Sequence, residues 1–233
     1  MLSTFLQTAA DAFEAVPVQE ELSFSLISMA AKGGWLMLVL LALSIVAIYI
    51  FGKKWWSIRQ AGKIDKNFIK DVDNYLMEGK VRSARALCKR SDTPVARMID
   101  KGIERIDKPL ADIRIAVENV ANVEVAQLEK GLPALATIAG GAPMIGFLGT
   151  VMGMVQAFFN MAQAGNNIDI TLLSGGIYTA MITTVGGLIV GILAYFGYNF
   201  LTAKVTSLVS KMEAASIEFL DAAQARKDSK TEA

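Results

Sequence analysis

The distribution of charge along the chain constrains its fold more than any other feature. No charged side chain occurs between Gly33 and Gly52, and between Gly131 and Ala203 the only residue charged near neutral pH is Asp169. Nearly all the Lys and Arg lie between Lys53 and Lys130 or after Ala203. A water-soluble chain of 233 residues would spread its charges along its length, whereas this one separates charged from uncharged blocks and is 53% hydrophobic. A bilayer imposes that segregation, because a charge in hydrocarbon has no water to solvate it. The alternative, a single span plus a buried apolar hairpin, would need a large soluble core to cover two long uncharged stretches.

Spanning the hydrocarbon takes roughly 20 residues at 1.5 Å each. The first span is predicted at 34–52, with Trp35 and the Lys53-Lys54-Trp55-Trp56 cluster as interface anchors. The second falls in 131–162 and the third in 171–200. Lys32 alone precedes the first span, but Lys53, Lys54, Arg59, Lys63 and Lys66 follow it. The link at 163–170 has no basic residue, and the tail carries Lys204, Lys211, Arg226, Lys227 and Lys230. The positive-inside rule then places segment 1–33 and the link outside, and 53–130 and 201–233 in the cytoplasm. Asp11 and Glu14 interrupt any apolar run at the N-terminus, so no signal peptide is expected there. Val18–Ala31 reads as an amphipathic helix on the outer membrane face, or as an extension of the first span.

The 53–130 block reads as helical. Phe68, Val72, Tyr75 and Leu76 recur at helical spacing, with Gly79 as a C-cap. A second short helix spans Val81–Cys88. Asp92-Thr93-Pro94 is a start signal for a helix running to about Ile106, where Lys108-Pro109 breaks it. From Leu110 one long helix is expected to run into the second span, with Gly131 and Pro133 weakening it without ending it. The third span is expected to continue into the tail. The predicted fold is therefore all-α: a polytopic membrane protein with three transmembrane helices, two of them extended into a cytoplasmic helical bundle.

Composition excludes several functions. Acids are interleaved with the bases of the polar block, and the net charge is only +1, so no nucleic-acid partner is expected. Histidine is absent and Cys88 is the single cysteine. The chain thus lacks the commonest general base and any cysteine pair, and neither an enzyme activity, a metal site nor a cofactor is expected.

The two uncharged stretches carry stripes of small residues. One reads Ala139, Ala142, Gly146, Thr150, Gly153, Ala157 and the other Ala180, Thr184, Gly187, Gly191, Ala194. Steps of three and four place each stripe along one helix side. Gly149/Gly153 and Gly187/Gly191 make GxxxG pairs, which let membrane helices approach closely. Packing accounts for Gly146, Gly149, Gly153, Pro143, Gly187 and Gly191. The threonines leave two readings open. Thr150, Thr183 and Thr184 are tolerated in lipid through bonds to their own helix, or Thr150 and Thr184 face a polar lumen. No carboxylate lies inside a span, whereas proton relays usually have one there; in a proton conductor it would come from another subunit.

The stretch Gly131–Phe158 resembles the signature of the MotA/TolQ/ExbB proton-channel family. The match is most specific at Leu135-Ala136-Thr137-Ile138, Ala142-Pro143 and Gly146-Phe147-Leu148-Gly149-Thr150-Val151, followed by Gly153-Met154. The third span is similar at Ala180-Met181-Ile182-Thr183-Thr184, Gly187-Leu188 and Tyr198-Asn199. Three spans with an outside N-terminus match the ExbB and TolQ branch rather than the four-span MotA branch. The resemblance implies a homopentamer in the bacterial inner membrane. It would surround a dimer of a single-span ExbD-like or TolR-like partner that carries the membrane aspartate. It implies that proton flow turns that dimer and energises a TonB-like or TolA-like protein, with Thr150, Thr184, Thr183 and Thr179 lining the lumen and proton pathway. A non-conducting membrane scaffold, or a stator driving motility or secretion, is the alternative. Thr179 stands where these proteins commonly carry a glutamate, and Leu193 where they carry a proline, which implies a straighter third helix.

Overall fold

The structure is a computed structural model that describes residues 34–63, 67–163 and 170–231. The helix expected over Val18–Ala31 and the link residue Asp169 lie outside the described residues. Among those described there are seven α-helices and no strand: α1 Gly34–Ala61, α2 Phe68–Met77, α3 Val81–Ser91, α4 Pro94–Glu104, α5 Leu110–Glu129, α6 Leu132–Gln163 and α7 Ile170–Thr231. Three stretches are long and apolar enough to cross a membrane, in Gly34–Ala61, Leu110–Gln163 and Ser174–Asp228.

The short helices end where local chemistry dictates. Gly79, at φ +76°, closes α2: its N–H donates to the Leu76 carbonyl at 3.1 Å and that of Lys80 to Tyr75 at 2.8 Å. Only glycine reaches that backbone region without strain, so two otherwise unpaired carbonyls are satisfied. Thr93 caps α4, its Oγ1 accepting from the Ala96 N–H at 3.3 Å, with Pro94 in the first turn. Asp92 turns the chain between α3 and α4 in the left-handed region, at φ 41°.

The expected unbroken helix through residue 131 is interrupted. Lys130 leaves the helical region (φ −52°, ψ 120°) and Gly131 adopts φ +94° before α6 begins. Pro133 supplies the reason, since it has no N–H and its ring clashes with the carbonyl four residues back. The free C-terminus of α5 is met by Lys54 of α1, whose Nζ donates to the carbonyls of Gln127 (2.9 Å) and Leu128 (3.3 Å). A cation there also complements the helix dipole. Partial burial, then the charges of Lys53 and Lys130, hold that ammonium below its usual pKa.

By contrast α7 is continuous over 62 residues, roughly 93 Å at 1.5 Å each. Its upper half packs on α6 and α1. Its lower half presents Leu201, Val205, Leu208, Met212 and Phe219 at helical spacing to the polar block. These join Val95, Met98, Ile99 and Ile103 of α4 and Ile113 and Val117 of α5 in one core. Phe219 lies so close to α4 that a Cβ on Gly102 would sit 2.4 Å from its Cε1.

Candidate functional site: the seam between α6 and α7

The stripes of small residues meet each other. Around the crossing, a Cβ built on Gly146 would lie 3.1 Å from the Thr183 carbonyl oxygen and from Thr184 Cα. On Gly187 it would lie 2.6 Å from the Ala142 oxygen and 2.8 Å from Gly146 Cα. On Gly149 it would meet Thr183 Cγ2 at 2.5 Å, and on Gly153 the Ala180 methyl at 2.8 Å. Both GxxxG pairs are therefore engaged within one chain: backbone meets backbone at Gly146 and Gly187, and Gly149, Gly153 and Gly191 receive the Thr183, Ala180 and Pro143 side chains. Gly176 extends the seam, packing on Ala157 at 2.6 Å by the same measure.

Pro143 shapes one end. It removes the N–H that would bond the Ala139 carbonyl, and Gly191 faces the gap. A Cβ there would sit 2.5 Å from Pro143 Cγ and 3.0 Å from that oxygen. Glycine is required at 191 because the ring and the freed carbonyl both project into its space.

The threonines cluster at the crossing. Thr183 is 2% exposed, and its hydroxyl donates to the Thr179 carbonyl at 3.0 Å. Thr184, half-buried, reaches across and donates to the Gly146 carbonyl at 2.9 Å. Thr150, half-buried, donates to Phe147 of its own helix at 2.6 Å. Each hydroxyl so places its proton on a backbone carbonyl, and the half-buried Thr150 and Thr184 present oxygen lone pairs as acceptors. Such a surface suits a donor, a water or a protonated acid, and repels an anion. Thr179 is half-buried on the same helix one turn from Thr183.

Gln156 and Asn160 lie in the second span but belong to neither small-residue stripe. They pair along α6, Nε2 to Oδ1, at 2.9 Å. Their i, i+4 spacing is the signal that marks them as helix neighbours.

Comparison with known proteins follows the same segments. The family model described as the MotA/TolQ/ExbB proton channel family matches residues 90–214, from α3 into the lower half of α7. An ExbB homolog of Methanothermobacter thermautotrophicus is 27% identical over 191 residues, covering 81% of this chain and 67% of its own. An ExbB-like protein of Synechocystis sp. is 28% identical over 174 residues, covering 74% of this chain and 68% of its own. The biopolymer transport protein ExbB of Neisseria gonorrhoeae is 35% identical over 100 residues, covering 43% of this chain and 45% of its own.

Proposed function

The chain belongs to the MotA/TolQ/ExbB proton channel family, and on that premise we propose that it is the hydroxyl-lined wall of a proton-driven motor in a bacterial inner membrane. In this reading five copies surround a dimer of a single-span ExbD-like or TolR-like protein. The N-terminus is periplasmic and the polar bundle cytoplasmic. The partner supplies the titrating aspartate, and its motion energises a TonB-type or Tol-type envelope process.

One observation carries the proposal. Three threonine hydroxyls gather at the α6–α7 crossing in spans free of Asp, Glu, Lys and Arg, each with its proton on a backbone carbonyl. Acceptors without charge stabilise a protonated carboxyl or a water chain while leaving the proton on the mobile element. Thr150, Thr184 and Thr179 are half-buried and line the path, while Thr183 fills the seam beside them. Thr179, standing in place of a common glutamate, leaves the wall without a titrating group of its own, and the burden falls on the partner. A scaffold joined through its GxxxG faces draws no support from the seam, because those faces are taken up inside one chain.

The test is co-expression with the partner in cells lacking their own system. Thr150→Val and Thr184→Val are expected to reduce the energised process at unchanged membrane levels. Thr184→Ser, which restores the hydroxyl, is expected to recover it. Normal activity in both valine variants would rule out the wall.

A further inference from the structure

We infer that the groove between α1 and α7, at the base of the first span, holds one anionic phospholipid, its phosphate on Arg59, Lys204 and Lys211 and an acyl chain in the apolar channel above. The site requires only that these helices cross a membrane. Uncharged sequence on α1 stops at Gly52 and on α7 at Ala203. Immediately beyond, the two helices enclose a pocket of about 300 Å³. Its floor is apolar, with Ile58, Leu201 and Leu208 buried, and its rim carries the three cations. No carboxylate lines it, and among the described residues none lies within ion-pair distance of Arg59, Lys204 or Lys211. Arg59 is seven residues past Gly52, roughly 10 Å by helical rise, which is headgroup depth.

Charge alone would mark only the orientation of the chain. The channel above makes the site amphiphilic. Its volume is about 420 Å³, and Phe51, Leu193, Phe196 and Phe200 line it. The two spaces lie on either side of an aromatic stack, Trp55 of the pocket on Phe200 of the channel at 4.9 Å between ring centres. Lys204 also lies over the Phe200 ring, at 5.6 Å, which holds its ammonium at the junction. A free phosphate would use the rim and leave the channel empty; a zwitterionic lipid would fill the channel and bring a cation against three others. An anionic diacyl lipid satisfies both parts.

The experiment uses full-length protein in nanodiscs of equal phosphatidylglycerol and phosphatidylcholine. It is extracted into mild detergent, and retained lipid is counted by native mass spectrometry. Wild type is expected to keep phosphatidylglycerol selectively, and the triple substitution Arg59→Gln, Lys204→Gln, Lys211→Gln to keep roughly a hundredfold less. Lys53→Gln, which removes a cation that like Lys204 is the first residue past an uncharged stretch but lies outside the pocket, is expected to match wild type. If the triple variant does not assemble, Lys211→Gln alone is read the same way, with a severalfold loss expected. Equal retention by wild type and the pocket variants, an equal loss in Lys53→Gln, or no preference for phosphatidylglycerol overturns the assignment.

Discussion

Gly187 shows how narrow the tolerances at the seam are. Its hypothetical Cβ meets the backbone of α6 at two residues, at 2.6 and 2.8 Å, and backbone cannot rotate away as a side chain can. Gly187→Ala is therefore expected to push α6 and α7 apart and cost about 1–3 kcal/mol, seen as a lower thermal midpoint in detergent. Gly52→Ala, with open space around it, is expected to hold or slightly raise that midpoint, because alanine is the better helix former. The sequence places Gly187 in a small-residue stripe and Gly52 at the end of a span; only the helix opposite shows what a methyl group at each would meet. Cys88 is a second single-residue case. Burial first, then the Asp100 charge, push its thiol from 9.0 up to about 12, with Arg85 opposing. The thiol is expected to resist thiol reagents at pH 8 until the protein unfolds. Because its folded pKa is raised, its contribution to stability is full below the unfolded value and is lost as pH rises from about 9 to about 12. Cys88→Ala is expected to flatten that alkaline loss. Labelling of the folded protein at the rate of a free thiol would refute this.

At the scale of elements, local signals placed boundaries well. Gly79, Thr93-Pro94 and Lys108-Pro109 each stop or start a helix by a mechanism confined to four or five residues, so the chain itself displays it. The junction at Gly131 is not fixed by local sequence. Glycine and proline inside a periodic run are compatible with a continuous or a broken helix, and the break is held by Lys54 from a helix 73 residues earlier. The α4–α5 pairing rests on a contact of shorter reach, 27 residues. Arg97 grips Glu124 with two bonds of 2.7 Å while also reaching Asp92. The Glu124 side chain is only 9% exposed, against 41% for Arg97. Arg97→Leu is expected to strand that carboxylate and cost about 2 kcal/mol, less than a fully buried pair because water screens the arginine side. Changing Glu124→Leu as well is expected to restore most of the loss, which a double-mutant cycle by thermal unfolding measures.

Across the whole molecule, α7 is the one element shared by the apolar seam and the polar bundle. Phe219 is 1% exposed, wedged against Gly102 and Val117. Phe219→Ala is expected to cost about 3–5 kcal/mol and to loosen α4 and α5, which amide hydrogen exchange would show as lost protection in the bundle before the spans. A uniform change in both regions would mean that α7 couples them rigidly.

The sequence by itself determined the three spans, the polar blocks and the helix caps, because hydropathy, helical period and capping act over one to twenty residues. It also displayed the small-residue stripes, and with them the family. The tertiary structure decided what each stripe meets. Periodicity marks a face without naming its partner, so only the fold could show the two glycine faces closing on each other within one chain. The same holds for Thr184, whose proton rests on a carbonyl 38 residues away, and for Arg59, Lys204 and Lys211, which converge on one pocket because α1 and α7 lie side by side.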